Sequence, residues 1–122
     1  MIDDVSSGQR LGYSLSEATD QSQYLQMVRK KDLRVGEQVL VKTLNSVYAI
    51  RAVGGGLYVV SGGWFDRKGL SPVTTTINGC TWGGSIIKVD IVAARGLCLE
   101  FGNKLVTSDI CAVIVMPLGS DN

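Results

Sequence analysis

The clearest pattern along the chain has a period of two. Val39, Val41 and Thr43 alternate with Gln38, Leu40 and Lys42, which reads as a strand with one face turned inward. Leu44-Asn45-Ser46 supplies a turn before a second strand over 47–53, and Gly54-Gly55-Gly56 breaks that strand before a third over 57–60. Two adjoining turns make these three an antiparallel meander. Farther on, Asn78-Gly79 stands between two β-prone runs, 73–77 and 80–82. Asn-Gly tolerates the two positive φ angles of a type I′ turn, so a hairpin is predicted with Ile77 opposite Cys80, Thr76 opposite Thr81 and Thr75 opposite Trp82.

Residues 85–93 read as one strand, with Ile87, Val89 and Ile91 on the inner face and Lys88 and Asp90 facing solvent. Arg95-Gly96 turns into 97–101, where Leu97, Leu99 and Phe101 point inward and Glu100 outward. Gly102-Asn103 is a further turn, 104–107 a short strand, and 110–116 a last strand stopping at Pro117. That last run, Ile-Cys-Ala-Val-Ile-Val-Met, has no polar residue on either face. It has to be covered on both sides or paired along both edges.

The first 24 residues behave differently. They are rich in Ser, Gln, Asp and Gly, and offer one possible helix start, Ser14 with Glu17 at capping-box spacing. Residues 24–28 fit either a helix end or a strand start, and 31–37 form a polar turn in which Gly36 leads into the first clear strand. The resulting expectation is an all-β fold: a polar, loosely structured N-terminal arm over 1–24 and one domain over 25–122. Seven to nine short strands fit a small closed or partly open barrel, with a β-sandwich as the alternative layout.

Composition agrees with that layout. Of 122 residues 15 are Gly, about 12% against an average near 7%, and most fall at strand ends, where sharp coiling needs them. The net charge is only +1, so nothing in the balance points to nucleic acid or anionic lipid. Its distribution is uneven. Residues 1–25 hold Asp3, Asp4, Glu17 and Asp20 against Arg10, while 26–37 hold Arg29, Lys30, Lys31 and Arg34 against Asp32 and Glu37. The start of the sequence is polar, and no run of roughly 18 apolar residues occurs. A cytoplasmic protein without a membrane partner is expected.

Histidine is absent, which removes the Ser-His-Asp and Cys-His nucleophiles, the imidazole base and the His metal ligand. Three cysteines, Cys80, Cys98 and Cys111, cannot all pair, and none has C-x-x-C spacing, so free thiols and no metal site are expected. Gly54-Gly55-Gly56 lies between strands with no Gly-Lys-Ser/Thr after it, which rules out a phosphate loop. What remains for catalysis is a carboxylate pair drawn from Asp66, Asp90, Asp109 and Glu100 (with Glu37 a further acid), or Cys80 without a base. A carboxylate-dependent hydrolase is therefore the minor alternative, and no cofactor is implied.

The most unusual local feature is a mirrored pair, Ser61-Gly62-Gly63-Trp64 and Trp82-Gly83-Gly84-Ser85. The candidate binding residues are Trp64, Phe65, Arg67, Lys68 and Trp82, with 61–72 read as a loop. Aromatic rings beside cations fit a ligand or partner surface, and they also fit a single-stranded nucleic-acid binder. Alternatively the tryptophans plug the barrel ends. Over about a dozen residues, Ile91-Val92-Ala93-Ala94-Arg95-Gly96 and the following strand resemble a motif of Sm-like proteins. That family's first motif does not occur at matching spacing around Phe65-Asp66, so no membership follows. The expected function is a non-catalytic binding or assembly module, self-associating as a homo-oligomer through the strand edges at 110–116 and 57–60, with a protein or small ligand as the other partners considered.

Overall fold

The computed structural model describes residues 24–82 and 86–116. The predicted arm up to residue 23, its Ser14–Glu17 cap, the Gly83-Gly84-Ser85 half of the mirrored pair and the stop at Pro117 lie outside the described residues. The rest is mostly β, with one short helix. Eleven strands form three antiparallel sheets: β1 (Tyr24–Leu25), β2 (Met27–Arg29), β3 (Gln38–Thr43), β4 (Val47–Gly54), β5 (Leu57–Gly62), β6 (Val73–Thr75), β7 (Ile77–Thr81), β8 (Ile87–Lys88), β9 (Ile91–Ala94), β10 (Cys98–Phe101) and β11 (Ile110–Met116). The largest sheet has the order β1-β11-β3-β4-β5-β6, the second β10-β7-β8 and the third β2-β9. No closed barrel is found among the described residues.

The meander forms as the alternation requires. Val39 pairs Ile50 and Ile50 pairs Val60, which sets a fully buried row across β3, β4 and β5. Tyr48, Ile50 and Ala52 of β4 face the same core, which also takes Leu99 and Phe101 from β10 and all four residues of β9. The opposite face of the large sheet carries a smaller cluster, Leu40 with Ile114 and Met116, so β3 is buried on both sides at its centre. β11 is paired along both edges, to β1 and to β3, which satisfies the demand of its apolar sequence.

Three local expectations are corrected. The Asn78-Gly79 hairpin does not exist: β7 runs straight through both residues, while 73–75 belongs to β6 and pairs with β5. Asn78 instead spans an irregularity in the β7–β10 register, its Nδ2 donating to Glu100 Oε2 at 2.8 Å and to the Phe101 carbonyl at 3.1 Å. Gly79 has φ of 143°, and a Cβ there would strike the Lys88 carbonyl of β8, with Lys88 C and Val89 Cα both at 2.9 Å. Close packing of two strands, not a turn, requires this glycine.

The strand predicted over 85–93 is likewise two strands, β8 and β9, separated by a turn at Val89-Asp90. The Asp90 carbonyl accepts from the Lys30 backbone N–H at 2.8 Å, which turns the chain toward β2. β8 then pairs with β7, and β9 pairs with β2. Residues 104–107 contribute a single bridge, Glu100 with Val106, rather than a strand.

Candidate functional site

The loop predicted over 61–72 begins as the end of β5 and becomes the helix α1 (Gly63–Arg67). Gly62 and Gly63, with φ of 99° and 48°, make that junction possible, because a Cβ on Gly63 would enter the Tyr48 ring. Asp66 and Ser71 fold back on it: Gly62 N–H donates to Asp66 Oδ1 at 3.0 Å and to Ser71 Oγ at 3.2 Å. Phe65 enters the core at 1% exposure, edge-on to Phe101 at 5.0 Å and to Tyr48 at 6.1 Å. Of the predicted cluster, Phe65 therefore has no face to offer a ligand.

The remaining members stay near the surface. Trp64 is half-buried, edge-on to Phe65 at 5.3 Å, and its backbone N–H donates to the Tyr48 hydroxyl at 3.2 Å. Lys68 Nζ lies 5.9 Å from the Trp64 ring centroid, a cation–π arrangement that occupies the ring with the protein's own charge. Arg67 is exposed and donates to Ser46 Oγ at 3.2 Å. Beside them lies a cavity of 370 Å³ lined in part by Lys42, Asn45, Asp66 and Arg67.

Trp82 lies elsewhere. Ile77, at the start of β7, pairs with Phe101 beside the Phe65 ring, and Trp82 follows five residues later, about 16 Å farther at the usual strand rise. It is 69% exposed, the highest value among the large apolar side chains of the described residues. Around it the β7–β8 corner and the next turn present Ile86 and Val89, each 62% exposed, and Ile87 at 39%. Ile87 and Val89 also line a groove of 670 Å³ shared with Met27, which is 42% exposed on β2. The exposed cations Arg29, Lys88 and Arg95 belong to the same groove, against the single carboxylate Asp90.

Sequence reasoning identified Trp82 but missed its neighbours. One continuous strand over 85–93 turned Ile87 and Val89 inward, whereas the Val89-Asp90 turn releases both to the surface. The adjacent apolar pair Ile86-Ile87 was the available signal, since a single strand cannot bury both on one face.

The candidate reactive groups are placed as follows. All three cysteines are free thiols. Burial pushes the Cys80 thiol up from 9.0 to about 11, opposed weakly by a backbone hydrogen bond at Ala94 and by Lys30, and its Sγ donates to the Val92 carbonyl at 3.7 Å. Cys98 is also raised, first by burial and then by Asp109, whose Oδ1 accepts from it at 3.3 Å. Neither environment favours the thiolate a nucleophile needs. Asp66 sits on α1, Asp90 in the β8–β9 turn, Glu100 on β10 and Asp109 just before β11. The two cavities described above hold one of these carboxylates each, and no cluster of three or more potential metal ligands occurs among the described residues. No helix among the described residues is long and apolar enough to cross a membrane. Comparison with protein-family models, with curated proteins and with solved structures finds no match to this chain.

Proposed function

We propose that this chain is a non-catalytic β module that binds a partner protein through the face around Trp82. One observation carries the reading: Trp82, Ile86, Ile87 and Val89 are all exposed at one corner, with Met27 exposed across the adjoining groove. Taking about 150–250 Å² for a fully exposed large side chain, their exposed fractions amount to on the order of 500 Å². That much exposed apolar area concentrated on one pair of neighbouring strands and the turn after them is characteristic of an interaction site. An exposed Trp is also a common interface anchor.

The α1 cluster supports the nucleic-acid alternative less well, because Phe65 is in the core and Lys68 covers the Trp64 ring. Self-association through β11 and β5 is less well supported, since each has a neighbour on both sides in the large sheet. The raised thiols and the carboxylates on separate elements support a role without catalysis. The three free thiols fit a reducing, cytoplasmic setting. The finer architecture we read as a partly open barrel, with the packing of β9 against β7, β10 and β11 in its favour.

Panning an unbiased displayed peptide library on the immobilised full chain tests the function. Enriched peptides should lose binding on Trp82→Ser and on Ile87→Ser protein, and keep it on Arg67→Ala. No enrichment, or binding that follows Arg67 instead, removes the reading.

A further inference from the structure

The groove that Ile87 and Val89 share with Met27 has a chemistry of its own. Its inner members are aliphatic: Ile91 and Ala94 are buried, Leu97 is half-buried and Met27 is partly exposed. Its exposed members include the cations Arg29, Lys88 and Arg95 together with the apolar Ile87 and Val89, and Asp90 is the one acidic group among the lining residues. An apolar floor under an excess of two positive charges selects a ligand that alternates aliphatic and acidic groups. At 670 Å³ the groove takes several side chains rather than one ion. No aromatic ring lines it, so there is no platform on which bases would stack. A second copy of the chain would bring the same cationic rim against this one in a twofold pair, and like charges would oppose it. β8, two residues long, is an outer strand of its sheet, so its free edge can pair with a short extended stretch of the ligand.

We infer that the groove between β2, β8 and β9 binds an acidic peptide segment of a partner protein, with its aliphatic side chains on Met27 and Leu97 and its carboxylates at Arg29, Lys88 and Arg95. This rests on the reading of the Trp82 face as a protein-binding surface and names the class of its ligand.

Fluorescence anisotropy with the full chain tests it, using labelled peptides of about ten residues that alternate Glu with Leu, Ser with Leu, or Lys with Leu, and a thymidine oligonucleotide of similar length. The Glu/Leu peptide should bind at least about tenfold more tightly than the Ser/Leu peptide at low salt, and the Lys/Leu peptide should not bind. Raising salt from about 50 to 500 mM should erase most of that preference, since exposed charges are then screened within a few Å. Arg95→Glu and, separately, Lys88→Glu should each weaken Glu/Leu binding several-fold with the melting temperature unchanged, and Arg67→Glu should not. Equal binding of the Glu/Leu and Ser/Leu peptides, still lost on Ile87→Ser, overturns the acidic ligand and leaves the protein-binding face standing. Binding of no peptide overturns both. Preference for the oligonucleotide overturns the peptide in favour of nucleic acid.

Discussion

Replacing Gly79 by Asn separates the strand seen here from the turn that Asn78-Gly79 resembles. In a type I′ turn Asn visits the left-handed region readily, and the change would cost no more than about 1 kcal/mol. In β7 two penalties combine. Gly79 has φ of 143°, and holding a side chain in such a sparsely populated region costs about 1–3 kcal/mol. The new Cβ also meets the Lys88 carbonyl and lies 2.9 Å from Val89 Cα, where the obstacle is β8 backbone rather than a side chain that could rotate away. Forcing apart well-packed elements adds about 1–3 kcal/mol. Together the loss should be about 2–6 kcal/mol, read by urea unfolding followed through tryptophan fluorescence. At this chain length that corresponds to a fall in Tm of about 7–24 °C. Gly55→Asn is the internal control: Gly55 also has positive φ, 67°, but a Cβ there has nothing within 4 Å, so its loss should stay near 1 kcal/mol. If Gly79→Asn costs no more than Gly55→Asn, the close approach of β8 to β7 is refuted, and with it the geometry that presents Trp82 and Ile87.

Other expectations follow from burial and hydrogen bonding. Phe65→Ala should cost about 3–5 kcal/mol by thermal unfolding, because it empties the centre of the contacts with Tyr48, Trp64 and Phe101; a loss under about 1 kcal/mol would put the ring outside the core. Thr81 is buried and its Oγ1 has no hydrogen-bond partner among the described residues, so Thr81→Val should stabilise by about 1 kcal/mol, and a loss of stability would show that the hydroxyl is satisfied. Cys80 titrates higher in the folded chain than in the unfolded one, so its contribution is present below about pH 9 and is lost as the pH rises toward about 11. Tyr58 and Cys98, also raised, act in the same direction. Unfolding measured against pH should show this fall, reduced in Cys80→Ala, and a stability that rises over the same range would contradict it.

The parts of the fold legible in sequence are those where one local signal decides. In β3 and β4 the period of two and the intervening turn marked the elements, though Leu40 is buried on the second face of β3 as well, and the apolar run of β11 announced its two neighbours. The misread segments are those where a local signal had two physical meanings. Asn78-Gly79 is a turn signal when both residues take positive φ, but here Gly79 serves packing and Asn78 bridges to Glu100. Val89-Asp90 carries no glycine or proline, and the turn there follows from the Asp90 carbonyl meeting Lys30, a contact 60 residues apart in sequence that no local pattern encodes. The same turn decides the site. Trp82 stood out by its glycines, but Ile87 and Val89 join it only because that turn ends β8, and Met27 and Arg29 only because β2 pairs with β9. Phe65 was grouped with surface cations because nothing in Trp64-Phe65-Asp66-Arg67 shows which ring a helical turn will send inward.

The two tryptophans provide the most direct test of where this protein binds. Each gives one indole N–H signal in a ¹⁵N-correlated NMR spectrum, and single Trp→Phe variants assign them. On titrating the full chain with the alternating Glu/Leu peptide, the Trp82 indole and the backbone signals of 27–29, 87–91 and 94–97 should move together, while the Trp64 indole stays in place. Movement of the Trp64 indole and of 64–68, with Trp82 unchanged, would contradict the assignment and return the working surface to α1.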